Sequence, residues 1–132
     1  MILKYVKLEA EKFVKGPIKD AVLILPNYWT IHQRRFILQA ASVADIYVMS
    51  IVSENTAASI NYAMSQRTQN TTENVLFFNV GSNALQMTLV EYKQILTESS
   101  PKPVESIFIK ADYGKPYVGG LRMDSIICKY FE

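Results

Sequence analysis

Cysteine and histidine each occur once in the 132 residues, so no Cys/His cluster of the structural-zinc kind can be assembled within the chain. Zinc fingers, ribbons and knuckles are excluded, and so is an internal disulfide. Nor is such a staple needed, since a chain of this length buries roughly two-thirds of its unfolded surface. An apolar content of 49% is that of an ordinary folded domain and excludes disorder. An excess of one charge is missing as well: Lys+Arg 14 against Asp+Glu 12 gives +2, interspersed along the chain, with no long-range field to attract phosphate backbones. Nucleic acid is not an expected partner. Long apolar runs are missing too, because Ala21 to Leu25 and Val75 to Phe78 are strand-length and far below the ~20 residues that span a bilayer. No membrane segment or membrane partner is expected. The start, Met1-Ile2-Leu3-Lys4-Tyr5-Val6-Lys7, lacks the continuous apolar centre of a secretory leader. It lies inside an amphipathic pattern with no N-cap ahead of it, and Cys128 to Glu132 ends inside another; the chain is expected to be a piece of a longer protein.

What is present is a sequence of periodic segments. Ile2, Val6, Ala10 and Phe13 are spaced as the apolar stripe of a helix ending before Gly16-Pro17. Ala21 to Leu25, stopped by Pro26, predicts a strand buried on both faces, as in a parallel sheet. Thr30 and Gln33 have capping-box spacing and open a helix to about Ala44, followed by a second buried strand from Ile46 to Val52. This order predicts a right-handed βαβ unit. Ser53 to Thr56 opens a small-residue helix, and Ser65 to Glu73 predicts a polar surface connection. Beyond it the period becomes two: Val75 to Val80 and Leu85 to Val90 flank Gly81-Ser82-Asn83 as a hairpin. A polar loop with Pro101 and Pro103, a strand at about Val104 to Lys110, a Gly119-Gly120 break and a final helix complete the chain.

Several residues invite chemical readings, each beside a plain one. The small-residue turn Gly81-Ser82-Asn83-Ala84 could expose successive N–H groups as an anion nest for phosphate, or be an ordinary hairpin turn. Gly119-Gly120 could place phosphate on a helix N-terminus, or merely admit the helix. Glu54, just past an apolar strand, lies where parallel sheets place ligands and could hold a metal-bound water; a stabilising charge in the first helical turn is the alternative. His32, Arg34 and Arg35 fit a solvated helix face, and Cys128 fits a buried small hydrophobe. Asn70-Thr71-Thr72 is a glycosylation sequon, usable only in the secretory pathway. None of these groups forms a metal-ligand set.

Ile18 to Trp29, Gln33-Arg34-Arg35, Glu54-Asn55-Thr56-Ala57-Ala58, Asn79-Val80-Gly81 and Val118-Gly119-Gly120, in this order and spacing, resemble the nucleotide-binding domain of the seventy-kilodalton heat-shock chaperones. The resemblance covers essentially the whole chain. It implies an α/β fold of the actin-like, ribonuclease H-like ATPase class, present in part: a βαβα piece of the first lobe over residues 1–66, a linker at 67–73, and the hairpin, third strand and helix of the second lobe over 74–132. It implies ATP or ADP with magnesium as ligands of the intact domain, with Gly81, Ser82, Asn83, Ala84, Gly119 and Gly120 at the phosphates and Glu54 and Asn79 at the catalytic positions.

Where the family has Asp-Leu-Gly-Gly-Gly-Thr-Phe-Asp, this chain has Asn79-Val80-Gly81-Ser82-Asn83-Ala84-Leu85-Gln86. Both carboxylates and the threonine hydroxyl are gone, which weakens the positioning of metal and water and the acceptance of a proton. Asn55 also replaces the family's usual proline. The turn and the flanking segments are similar to the large glucose-regulated subgroup of the endoplasmic reticulum. That subgroup implies stress response and protein folding, unfolded polypeptide clients, nucleotide exchange on a conventional chaperone partner, and lumenal residence that would make the Asn70 sequon usable; cytosolic large relatives, and hence the cytoplasm, are the alternative. The expected activity is ATP binding with little or no hydrolysis, against two alternatives: a working ATPase, or a nucleotide-free docking module in which Ser82 and Asn83 crowd the phosphates. The segment alone is expected to be inactive.

Overall fold

The computed structural model describes residues 1–65, 71–97 and 100–131. The chain divides into two compact units, Met1–Leu25 with Trp29–Val52, and Pro26–Tyr28 with Ser53–Glu132. Of the polar stretch 67–73 that the sequence suggests as a linker, positions 67–70, Asn70 of the sequon included, lie outside the described residues.

In the first unit, α1 (Ile2–Val14), β1 (Asp20–Leu25), α2 (Ile31–Val43) and β2 (Tyr47–Ser53, its last residue counted with the second unit) follow one another. The Tyr47 N–H donates to the Lys19 carbonyl at 2.7 Å, joining the beginning of one strand to the beginning of the other, as the expected parallel pair requires. The capping box is present: Thr30 accepts from the Gln33 N–H while the Gln33 side chain accepts from the Thr30 N–H. Lys15, the C-cap of α1, adopts a left-handed φ of 56°, and Glu11 turns back to accept from the Ile18 N–H at 3.1 Å. Leu25, Ala41 and Ala44 are the buried apolar residues of this unit.

Burial here is one-sided, contrary to the sequence reading. In β1 and β2 Val22, Ile24, Tyr47 and Met49 are exposed, and so are Ile2, Val6 and Phe13 of the α1 stripe. A parallel sheet is buried on both faces only where helices cover both, and these exposed side chains show that the two faces of this two-stranded sheet are not both covered. Arg34 is half-buried and donates from Nε to the Trp29 carbonyl at 3.1 Å, tying down the helix entry rather than lying fully in solvent with His32 and Arg35.

The second unit is an antiparallel sheet β3–β4–β5 with α3 (Glu54–Ser65) on one face, followed by α4 (Gly120–Phe131). β3 (Glu73–Val80) pairs β4 (Ala84–Thr97) with Asn79 opposite Gln86 and Phe77 opposite Thr88. β5 (Ser100–Pro116) is much longer than expected and takes in Pro101 and Pro103; as the last strand of the order β3–β4–β5 it is an edge, where a missing N–H costs no ladder bond. The face under α3 carries Gln86, Thr88, Val90 and Tyr92, all buried, while Leu76, Phe78 and Leu89 on the other face are exposed. Tyr62 meets the rings of Phe77 and Tyr92 at centroid distances of 6.0 and 5.7 Å, and the Tyr92 hydroxyl donates to the Ser59 carbonyl at 2.9 Å. Cys128, expected to be buried, is exposed on α4, a helix with no buried residue.

A register shift between Leu89 and Val90 opposes Val90 to Ile109 instead of Lys110. This bulge spares an ammonium from burial beneath α3. Lys110 instead reaches Glu91 at 3.0 Å, with Lys93 at 3.6 Å. The Lys110 hydrogen bond holds the Glu91 carboxyl below its ordinary value, against a smaller opposing effect of desolvation. A lowered carboxylate value contributes stability that is present above the ordinary glutamate range and is lost as pH falls through the lowered value. Glu91→Gln should therefore lower stability slightly at neutral pH and flatten the acid limb of the stability curve by the same small amount, the two proteins converging at low pH, read from urea midpoints at a series of pH values. Tyr92→Phe, which removes a buried hydroxyl bond, should cost about 1 kcal/mol in the same assay.

Candidate functional site

Glu54 begins α3 directly after β2, as the sequence suggests, and the β3–β4 register places Asn79 beside Gln86. Glu54 and Asn79 line one cleft of about 440 Å3 with Asn55, Ala58, Phe77, Phe78 and Val80. Glu54 and Asn55 of this lining also belong to a chain of polar contacts. The Gln86 Nε2 donates to Glu54 Oε2, and the Gln86 Oε1 accepts from the Asn27 N–H at 3.0 Å. The Asn27 Nδ2 donates to Asp112 Oδ1 at 2.7 Å and to the Tyr113 carbonyl at 3.1 Å. Thr88 donates its hydroxyl to the same Asp112 oxygen at 2.6 Å and accepts from Asn55 Nδ2 at 3.1 Å. Gln86, Thr88 and Asn55 are only 4%, 1% and 3% exposed, so their bonds do not compete with bulk water and their loss would leave buried polar groups unsatisfied.

The two glycine motifs, far apart in sequence, meet. The turn closes through the Gly81 N–H donating to the Ala84 carbonyl at 2.9 Å, and its own carbonyls cap α4: Gly81 accepts from the Gly120 N–H at 3.2 Å and Ser82 from the Leu121 N–H at 2.8 Å. Two of the orphan donors of the helix N-terminus are thus satisfied within the chain. The Ser82, Asn83 and Gly119 N–H groups carry no intramolecular hydrogen bond among the described residues. Next to them a cleft of about 250 Å3 is lined by Asn83, Tyr117, Leu121, Arg122 and Ser125.

No residue of the turn has a positive φ; among the described residues the left-handed ones are Lys15, Asp45 and Tyr117. The alternating conformation that makes a nest is therefore not adopted at Gly81 to Ala84, and the available donors come jointly from the turn and the helix entry. For the same reason Ser82 and Asn83 sit in the turn without backbone strain. Gly119 is required by close approach, since a Cβ there would lie 2.3 Å from the Gly81 oxygen and 2.8 Å from the Ser82 carbonyl. Gly81 is not, its nearest such neighbour being 3.7 Å away.

The roles of Asn27, Thr88 and Asp112 escape sequence reading. Asn27 had a signal in the family-like Pro26-Asn27-Tyr28 loop, whereas nothing in the sequence marks Thr88 or Asp112 until the register opposes them. Gly114 was equally silent; a Cβ there would lie 2.0 Å from Asn27 Oδ1, so its lack of a side chain makes room for the loop. Among the described residues no group of three or more His, Cys, Asp or Glu could hold a metal ion.

The mixed α/β fold, with its glycine turn, capped helix entry and the Glu54 carboxylate, can be set beside known proteins. The chain matches the family model described as Hsp70 protein over residues 1–131. It is 37% identical over 102 residues to hypoxia up-regulated protein 1 of Danio rerio, covering 76% of this chain and 10% of that one. Against the proteins of the same name from Xenopus tropicalis and Rattus norvegicus the identities are 31% and 33%, over 94% of this chain and 19% and 12% of theirs. The chain belongs to the Hsp70 family, and its fold is consistent with part of that family's actin-like ATPase domain. It spans 10 to 19% of the length of these relatives.

Gly119→Ala should part the turn from the helix entry and cost about 1–3 kcal/mol, whereas Gly81→Ala should change stability by less than about 0.5 kcal/mol. Denaturant midpoints of the two variants test the contrast. Equal effects would show that the close approach at Gly119 does not constrain the fold.

Proposed function

We propose that this chain is part of the ATP-binding domain of an Hsp70-like chaperone, one that binds ATP or ADP and hydrolyses ATP weakly or not at all. The reading is carried by the contact between the Gln86 amide and the Glu54 carboxylate. With Oε2 held by a buried amide N–H, Glu54 keeps one oxygen, Oε1, to orient a water, and no second carboxylate stands beside it at residue 86 or 79 to share the task. Asn79, the other catalytic-position residue, is an exposed amide and cannot accept a proton at neutral pH. Phosphate, by contrast, has donors to meet: the Ser82, Asn83 and Gly119 N–H groups at a cleft that Arg122 also lines.

The lobe division at 67–73 belongs to the same reading, as do the roles of Gly81, Ala84 and Gly120 in shaping the phosphate contact. The whole protein would act in protein folding under stress, with unfolded polypeptides as clients and a conventional Hsp70 chaperone as the partner on which it promotes nucleotide exchange. Similarity to hypoxia up-regulated protein 1 supports this assignment, and with it residence in the endoplasmic reticulum lumen rather than the cytoplasm. Single-turnover phosphate release from ATP by the intact natural protein should stay at the level of a heat-inactivated control while calorimetry shows saturable binding. A burst of phosphate matching the bound nucleotide would contradict weak hydrolysis.

A further inference from the structure

We infer that nucleotide binding by this protein does not depend on a divalent cation, because the Gln86 amide holds Glu54 Oε2 and stands where a second carboxylate would be needed, leaving Glu54 one oxygen, Oε1, to offer a cation or its water. The inference rests on the nucleotide-binding reading above and concerns the magnesium that the family resemblance brings with ATP.

The orientation of the Gln86 amide is set by a partner that leaves no choice. The Asn27 backbone N–H can only donate, so the oxygen 3.0 Å from it is Oε1, and Nε2 faces Glu54. Turning the amide over would set N–H against N–H at one end and oxygen against carboxylate at the other. With Gln86 only 4% exposed, neither end can find water instead. The amide thus presents positive hydrogens to Glu54, an arrangement that repels a cation approaching the same carboxylate oxygen.

The rest of the donor set does not make good the loss. Magnesium requires near-octahedral oxygen ligands, drawn from one or two carboxylates together with phosphates and waters. Asn79 offers a neutral amide. Asp112 already accepts from Thr88 and Asn27 through Oδ1. The residues present therefore do not fit magnesium. Phosphate charge is met instead by the N–H groups of Ser82, Asn83 and Gly119 and by the neighbouring Arg122, none of which gains from a metal.

Residue 86 is then the specificity-determining position. A glutamate there would keep the hydrogen bond from Asn27 but set two carboxylates face to face, a pair that is relieved by a cation between them.

The test is a calorimetric titration of ATP into the full-length natural protein at matched ionic strength, once with magnesium in excess and once in EDTA. The wild-type affinities should agree within about fivefold, the lower edge of ordinary coupling between two ligands, while Gln86→Glu should bind ATP more than about fivefold tighter with magnesium than without. A wild-type affinity that falls tenfold or more in EDTA overturns the inference and leaves nucleotide binding intact. Absence of saturable binding in both buffers overturns the nucleotide reading itself, and this inference with it. If thermal melting shows that Gln86→Glu does not fold, the two wild-type titrations decide alone.

Discussion

The bridge that Gln86 makes between Glu54 and Asn27 is the constraint around which the second unit is organised. Gln86 stands near the start of the central strand, on the face that α3 covers, and each end of its amide meets a group from a different part of the chain. One end fixes the carboxylate that opens α3; the other fixes the Pro26–Tyr28 loop, whose Asn27 then reaches Asp112 and Tyr113 on β5. Replacing a carboxylate by an amide here exchanges a repelling pair, which needs a proton or cation between its members, for a hydrogen bond that needs neither. The same change lets both ends of the residue 86 side chain find partners within the chain.

The meeting of the two glycine motifs follows a similar logic. A helix N-terminus has donors to spare and a tight turn has carbonyls to spare; bringing Gly81 and Ser82 onto Gly120 and Leu121 satisfies both. Gly119 allows the approach because a side chain would meet backbone there. The arrangement leaves donors from the turn and from the helix entry beside a cleft that Arg122 also lines, so the groups presented there are donors rather than acceptors.

Much of the local structure was legible in the sequence for identifiable reasons. Thr30 and Gln33 announced a helix start through capping chemistry that is local by nature. The two-residue period after Val75 gave the hairpin, and Gly81-Ser82-Asn83 its turn. What was not legible depends on partners distant in sequence. The alternation in β4 was plain, but not which face is buried: it is that of Gln86 and Thr88, because α3 brings Asn55, Ser59 and Tyr62 to that side. The bulge at Lys110 follows from the cost of burying its charge, which only the register makes visible. Cys128 and the α1 stripe carry apolar patterns that this chain does not cover. In the site, Glu54 and Asn79 were identifiable from their motifs, while Asp112 and Thr88 required the strand pairing.

The state of the Gln86 side-chain amide is the most direct measure of whether Glu54 is closed. In nitrogen-resolved NMR spectra of the isotope-labelled protein, one glutamine NH2 pair should carry a strongly downfield, exchange-protected proton, and Glu54→Ala should return that proton to the position of a solvent-exposed amide. Glutamine amides that all exchange freely with water, and do not respond to the change at residue 54, would contradict the account.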